Sequence, residues 1–343
     1  MRSRRPASTT PPIARGEPPP TGPLSTAQLD LATLEFARAV ARGLNDTPRW
    51  VPSRFLYDAR GSWLFERICQ LPEYYLTRTE AAILAAHAAA VAQTTGPVTL
   101  IELGSGSSAK TRHLLDAYAG SAETVQYVSV DVSDAALAEA EKRIAAKHPT
   151  VHVKGVVGRY EDAFRLFQHH SPCMVLFLGS TVGNLNHAES LGFWQQVADH
   201  LTPADFFLLG VDLVKDRRVL EAAYNDAAGV TAEFTKNLWV RMNRELDAGV
   251  DVETLEHVAR YNAAWQRMEI FTRLEAPQTV HIAPLDLDVE LGPGEMVMTE
   301  ISRKFVIENL TRYLACFGLH LQSVYTDPRK WFAVLLLQKG ETP

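Results

Sequence analysis

Thr99-Leu-Ile-Glu-Leu-Gly-Ser-Gly-Ser-Ser-Ala-Lys110 is the stretch on which the fold turns. An apolar run, 98–101, ends in a carboxylate, Glu102, and a turn carrying Gly104 and Gly106 follows at once. Glycine serves where backbone must approach a ligand closely or take a positive φ. The helical pattern after the turn presents unpaired N–H groups and a positive dipole end to whatever the turn holds. The stretch reads as a nucleotide-binding strand–turn–helix, with Lys110 one turn into the helix.

Working outward, strands are predicted at 98–102, 125–130, 151–157, 174–178 and 206–211, with helices over 109–118, 133–147, 160–168 and 188–201. This alternation implies parallel strands joined by crossover helices. The 215–268 region reads as helical and interrupts it, and a β-rich stretch follows at 271–291. A helix around 306–317 then leads to strands at 320–325 and 332–337, separated only by the turn signal Asp327-Pro328. Without a crossover helix these two cannot be parallel neighbours, so they are expected to form an antiparallel hairpin closing the sheet edge. Upstream, a helix runs to about Leu44, an aromatic-rich segment covers 55–80, and an alanine-rich helix covers 79–93. The expected class is α/β: a Rossmann-like, mostly parallel sheet with an antiparallel terminal hairpin and a second, α+β substrate-binding domain. That domain is drawn from 27–78 and 215–304, and the cofactor-binding domain from 79–214 and 305–343.

Composition narrows the partners. The chain has 343 residues, 46% hydrophobic and 22% charged, with a net charge of −6, so nothing global favours nucleic acid or an anionic membrane. Cys69, Cys173 and Cys316 are scattered without a Cys-x-x-Cys pair, which argues against a zinc site or a disulfide framework and fits a reducing, cytoplasmic setting. No run of about 18 apolar residues exists to span a membrane. Residues 1–26, rich in Pro, Arg, Ser and Thr, are expected to be a disordered tail rather than a targeting segment.

Several features bear on the cofactor. Asp131 ends the strand after the glycine turn, placed to accept from ribose hydroxyls or to lie in the turn that caps the next helix, a task Ser133 could also perform. Ser107-Ser-Ala109 stands where a dinucleotide fingerprint has its third glycine. Together with the terminal hairpin, this favours S-adenosylmethionine over NAD. Lys110 is a candidate for the methionyl carboxylate or a solvated helix residue. Arg159-Tyr160, after the third strand, is a candidate adenine contact, with Tyr160 either stacking on the base or beginning a helix.

The acceptor should lie outside the carboxyl ends of the strands. There stands Phe177-Leu-Gly-Ser-Thr-Val-Gly-Asn-Leu185. Asn184 offers both a donor and an acceptor to an amino acid's amine and carboxylate, or it caps its own loop. With this segment, Tyr57-Asp58, Leu71-Pro-Glu-Tyr-Tyr75, Ile101-Glu-Leu-Gly-Ser-Gly106, Tyr224-Asn-Asp-Ala-Ala-Gly-Val-Thr-Ala-Glu-Phe234 and Thr299-Glu-Ile-Ser-Arg-Lys-Phe305 resemble the L-histidine Nα-methyltransferases of ergothioneine biosynthesis. The resemblance spans about 28–340.

The resemblance implies trimethylation of the histidine α-amine to hercynine in three transfers from S-adenosylmethionine, without a metal and without an obligate protein partner. It implies that Tyr74 lies near the imidazole, and that Asn184 and Tyr224 hold the amino-acid backbone beside Gly179. Glu300 and Ser302 would read the imidazole nitrogens. Tyr57 and Phe65 would face the amine and line the wall. Glu102, Gly104, Gly106, Lys110, Asp131, Arg159 and Tyr160 would form the cofactor site. Two departures stand out: Arg159, where the family more often carries an acid, and Ile270, where methionine occurs in some relatives. The reader pair also makes independent sense, because residues i and i+2 of a strand share a face. A carboxylate accepts from an imidazole N–H while a hydroxyl serves the other nitrogen. The other readings are an enzyme acting on the α-amine of a different, aromatic amino acid, and a non-catalytic nucleotide-binding protein.

Overall fold

The computed structural model describes residues 26–106, 108–120 and 123–340. The tail expected over 1–26 lies, but for Thr26, outside them. Helices α1 (Thr26–Leu44), α2 (Ala59–Gln70) and α3 (Leu76–Thr95) precede strand β1 (Thr99–Leu103). The alternation follows as α4 (Arg112–Ala119), β2 (Val125–Asp131), α5 (Asp134–Lys147), β3 (Val151–Val157), α6 (Phe164–His169), β4 (Cys173–Phe177), α7 (His187–His200) and β5 (Phe206–Asp212). Next come α8 (Arg217–Tyr224), α9 (Val230–Leu246), β6 (Leu255–Asn262), β7 (Arg267–Leu274), β8 (Gln278–Ile282), β9 (Leu287–Leu291) and β10 (Met296–Arg303). The described chain closes with α10 (Ile307–Ala315), β11 (Leu319–Thr326) and β12 (Phe332–Lys339).

Seven strands form one sheet in the order β11-β12-β5-β4-β1-β2-β3. Neighbours from β5 through β3 run parallel, whereas β12 is antiparallel to both β5 and β11. The expected hairpin is therefore present, with β12 lying between β11 and β5. Both sheet faces are covered, so the central strands are apolar throughout: Met174 and Leu176 point to one core, and Cys173, Val175 and Phe177 to the other. The first of these cores continues without a break into the segment after β5. There Leu238, Trp239, Met268 and Val280 join the cluster that holds Leu100 and Leu208. Strands β10, β7 and β6 make a three-stranded antiparallel sheet, and β8 pairs with β9.

The structure corrects three sequence expectations. The 215–268 region is helical only as far as Leu246, and Leu255–Asn262 is a strand. Its edge position leaves only Leu255 buried, so the period-two contrast that marks a half-buried strand is nearly lost. Residues 160–168 divide into a 3-10 turn, Tyr160–Ala163, and the short α6. The helix after the glycine turn starts at Arg112, so Lys110 sits in the turn before α4 rather than one turn inside it.

Candidate active site

The glycine turn connects β1 to α4 at the carboxyl end of the sheet. Gly104 and Gly106 adopt φ +68° and +49°, and a Cβ at either would meet nothing within 4 Å. The positive φ explains why glycine stands there, and the turn's face is open. Beneath it, Glu102 is buried and accepts from the Thr111 hydroxyl at 2.7 and 2.8 Å and from the Tyr127 hydroxyl. Burial pushes its carboxyl up to about 7, against these hydrogen bonds. Glu102 thus braces the turn from below. Asp131 Oδ2 accepts the Gly106 N–H at 2.8 Å and Oδ1 accepts the Ser133 N–H at 3.0 Å. Capping of α5 falls to Ser133, whose hydroxyl accepts from Ala136.

Lys110 donates to Glu80, which is fully buried and also accepts the Gly179 N–H at 2.8 and 2.9 Å. Burial would lower the Lys110 pKa, but the Glu80 charge raises it, so the ammonium form is held. Glu80 therefore links the cofactor turn to the acceptor loop. Arg159 points elsewhere: its guanidinium pairs with Glu35 on α1, which also takes Arg54. Tyr160 begins its 3-10 turn, is half-buried, and packs at 5.7 and 5.9 Å from Phe177 and Phe193.

The acceptor side is assembled from five distant segments. Gly179 (φ +76°) and Ser180 (φ +59°) turn the chain out of β4, and the Ser180 hydroxyl accepts the Asp212 N–H at 3.0 Å. Three residues further, Gly183 meets β10 so closely that a Cβ there would lie 2.9 Å from the Arg303 carbonyl oxygen. This approach sets Asn184 against β10, where its Nδ2 lies 3.4 Å from Glu300 Oε1. Burial pushes the Glu300 carboxyl up to about 7, while Lys304 and Asn184 favour the charged form. Ile270 is buried on β7 directly opposite Glu300 in the register.

Asp58 caps α2 and takes Asn237 Nδ2 at 2.7 Å and Arg244 at 2.8 Å, both from α9. It thereby pins Tyr57 beside Phe65 and Phe234, with ring centroids at 5.5 and 5.4 Å. Phe65 lies 6.1 Å from Tyr74, and Tyr74 lies 6.0 Å from Tyr224. These five rings form a continuous wall. Burial raises the pKa of Tyr57 and Tyr74 well above the ordinary phenol value, so both keep their protons.

A buried charged group closes the floor. The Lys304 ammonium reaches Asp212 Oδ2 at 2.8 Å, and the Tyr224 hydroxyl and Ser302 Oγ at 2.9 Å each. Tyr224 OH lies 2.9 Å from Ser302 Oγ. Asp212 also accepts from Tyr75 at 2.9 and 2.8 Å and from Lys215 at 2.5 Å.

Thus Tyr57, Phe65, Tyr74, Asn184, Tyr224, Ile270, Glu300 and Ser302 converge, and Gly104, Gly106, Lys110 and Asp131 gather at the adjoining turn. Glu102 lies buried beneath this surface, Tyr160 is half-buried beside Phe177 and Phe193, and Arg159 pairs with Glu35 on α1. Glu80, Asp212, Lys304 and Phe234 were missed. Lys304 merely continues the alternation Glu300, Ser302, and Phe234 closes a quoted motif. Glu80 and Asp212 carry no local signal beyond an acid in an apolar context.

The turn fits S-adenosylmethionine. Its face is open above two left-handed glycines, Ser105 Oγ is buried without a partner among the described residues, and Asp131 retains acceptor capacity. With the sheet order, these features define an S-adenosylmethionine-dependent methyltransferase. More narrowly, the chain belongs to the histidine-specific, S-adenosylmethionine-dependent methyltransferases, whose family model matches residues 36–339. A histidine N-alpha-methyltransferase of Mycolicibacterium smegmatis is 43% identical over 307 residues, covering 90% of this chain and 96% of the relative. One from Mycobacterium tuberculosis is 40% identical over 310 residues, covering 90% and 97%. Ergothioneine biosynthesis protein 1 of Neurospora crassa is 38% identical over 200 residues, covering 56% of this chain and 22% of that longer protein. Among the described residues no helix is long and apolar enough to cross a membrane, and no group of three or more His, Cys, Asp or Glu is arranged to hold a metal.

Proposed function

We propose that this enzyme methylates the α-amine of L-histidine three times, giving hercynine for ergothioneine biosynthesis. The observation that carries the reading is the convergence of Glu300 and Ser302, on one face of β10, with Asn184 inside the aromatic wall. An apolar ring would leave the buried Glu300 carboxylate without a ring N–H and the Ser302 O–H without a ring acceptor, which a pocket built for them penalises. The family membership and the two mycobacterial relatives support the same substrate.

In this reading the chain divides its labour: 79–214 with 305–343 hold the cofactor, and 27–78 with 215–304 hold histidine, joined by Gly179 and Asn184 from the loop after β4. Gly104, Gly106, Asp131 and Lys110 would hold S-adenosylmethionine, with Glu102 bracing the turn beneath. Once bound, it supplies an electrophilic sulfonium methyl. Glu300 accepts from an imidazole N–H, and Ser302 serves the other nitrogen. Asn184 and Tyr224 take the amino-acid carboxylate and amine, beside Gly179, and Tyr74 and Ile270 bound the ring.

Tyr57 keeps its proton at neutral pH, so it orients the amine and is no base; water takes the amine proton before each transfer. Catalysis is then mainly positioning of the amine nitrogen in line with the methyl group. Tyr57, Phe65 and Phe234 present ring faces and edges suited to an increasingly methylated cation.

The test is turnover of L-histidine with S-adenosylmethionine, followed by product mass. Accumulation of the trimethylated species is expected; an unmodified histidine would contradict the reading.

A further inference from the structure

We infer that Lys304 is a positioning residue that, together with Tyr224, fills the lone pairs of Ser302 Oγ and so fixes that hydroxyl as a hydrogen-bond donor toward the substrate. The inference rests on the histidine reading above and adds a rule about which face of the imidazole the pocket accepts.

The argument is a count of hydrogens. A lysine ammonium has three N–H donors and no acceptor. Lys304 is fully buried, and its three donors point to Asp212 Oδ2, Tyr224 OH and Ser302 Oγ at 2.8, 2.9 and 2.9 Å. None is left for a ligand. Burial alone would lower its pKa, but the charge of Asp212 outweighs that and raises it, so the ammonium persists. Burial likewise raises the Tyr224 pKa, so that oxygen keeps its hydrogen.

Each hydroxyl therefore has one lone pair occupied by Lys304. Ser302 Oγ also accepts from Tyr224 at 2.9 Å, which fills its acceptor capacity. Its own O–H can only donate. Glu300 supplies the complementary acceptor two residues away. The floor thus demands a ring with one N–H and one bare nitrogen, the neutral imidazole. Without Lys304, Ser302 Oγ regains a free lone pair and can accept from a ring N–H, so the demand for a bare nitrogen would relax.

The test compares histidine with its two pyrrolylalanine analogues, each of which keeps one ring N–H and replaces the other nitrogen by C–H. The wild-type enzyme should prefer histidine over the better analogue by about 30-fold or more in kcat/KM. In Lys304→Met that preference should shrink by about tenfold, because the Ser302 hydroxyl is no longer held as a donor. An unchanged preference, with both substrates slowed equally, would reduce Lys304 to a structural role and overturn the inference. Should Lys304→Met fail to fold by circular dichroism, the wild-type comparison decides: turnover of a pyrrole analogue equal to that of histidine overturns it. A wild-type enzyme that leaves histidine itself unmethylated would instead sink the functional reading.

Discussion

Of the lysine–carboxylate pairs at the site, one on the cofactor side and one on the acceptor side do opposite things. On the cofactor side, Lys110 pairs with Glu80 but keeps 23% of its side chain exposed, and among the described residues its ammonium donates only to Glu80. On the acceptor side, Lys304 pairs with Asp212 with both side chains fully enclosed, and every donor is spent. The first cation has hydrogens left for an incoming carboxylate. The second has none and can act only by fixing its neighbours. The same pair of residue types thus binds in one place and orients in the other, and remaining donor capacity decides which.

The largest expected effect breaks the acceptor side alone. Glu300→Ala should lower kcat/KM for histidine about 100-fold while S-adenosylhomocysteine affinity, measured by calorimetry, stays put. A loss of cofactor affinity of the same size would dissolve the distinction between the two sides. Lys110→Met should do the reverse. We expect about tenfold weaker S-adenosylhomocysteine binding with the preference for histidine over phenylalanine intact, the cost of one charge-assisted contact; unchanged affinity would remove Lys110 from the cofactor site.

The smallest effect concerns the brace under the turn. A carboxyl whose pKa is raised on folding holds its proton in the native state above the unfolded pKa. The stability it contributes is present below about 4.5 and is lost as pH rises through about 7. Glu102 and Glu300 both fall in this class, so the ligand-free melting temperature should decline across that window. Glu102→Gln should flatten the decline by a few degrees (~2–4 °C); an identical slope would show that Glu102 does not titrate there.

The two sides also differ in how legible they are. The cofactor turn is a contiguous stretch whose glycines, acid and flanking apolar run all serve one local geometry, so periodicity and turn chemistry expose it. The sheet was legible for the same reason, since strands buried on both faces read as unbroken apolar runs. The acceptor pocket draws Tyr57, Tyr74, Asn184, Tyr224 and Glu300 from separate segments, and only the family resemblance grouped them. Lys304 was within reach as the third member of an alternating series. Asp212 and Glu80 were not, because a buried acid announces itself only through partners that are distant in sequence. The partner of Arg159 was hidden for a related reason: it is a charge on α1, Glu35, that local spacing cannot reveal. The strand at Leu255–Asn262 was obscured by its edge position.

The most direct test of the account is a competition. The enzyme would be given S-adenosylmethionine with equal amounts of L-histidine, L-phenylalanine and L-tryptophan, and the mass of each amino acid followed over time. The account predicts that histidine acquires three methyl groups while the two aromatic amino acids stay unmodified. Methylation of phenylalanine or tryptophan at a rate comparable to histidine would contradict it, because the Glu300–Ser302 face would then not be reading the ring.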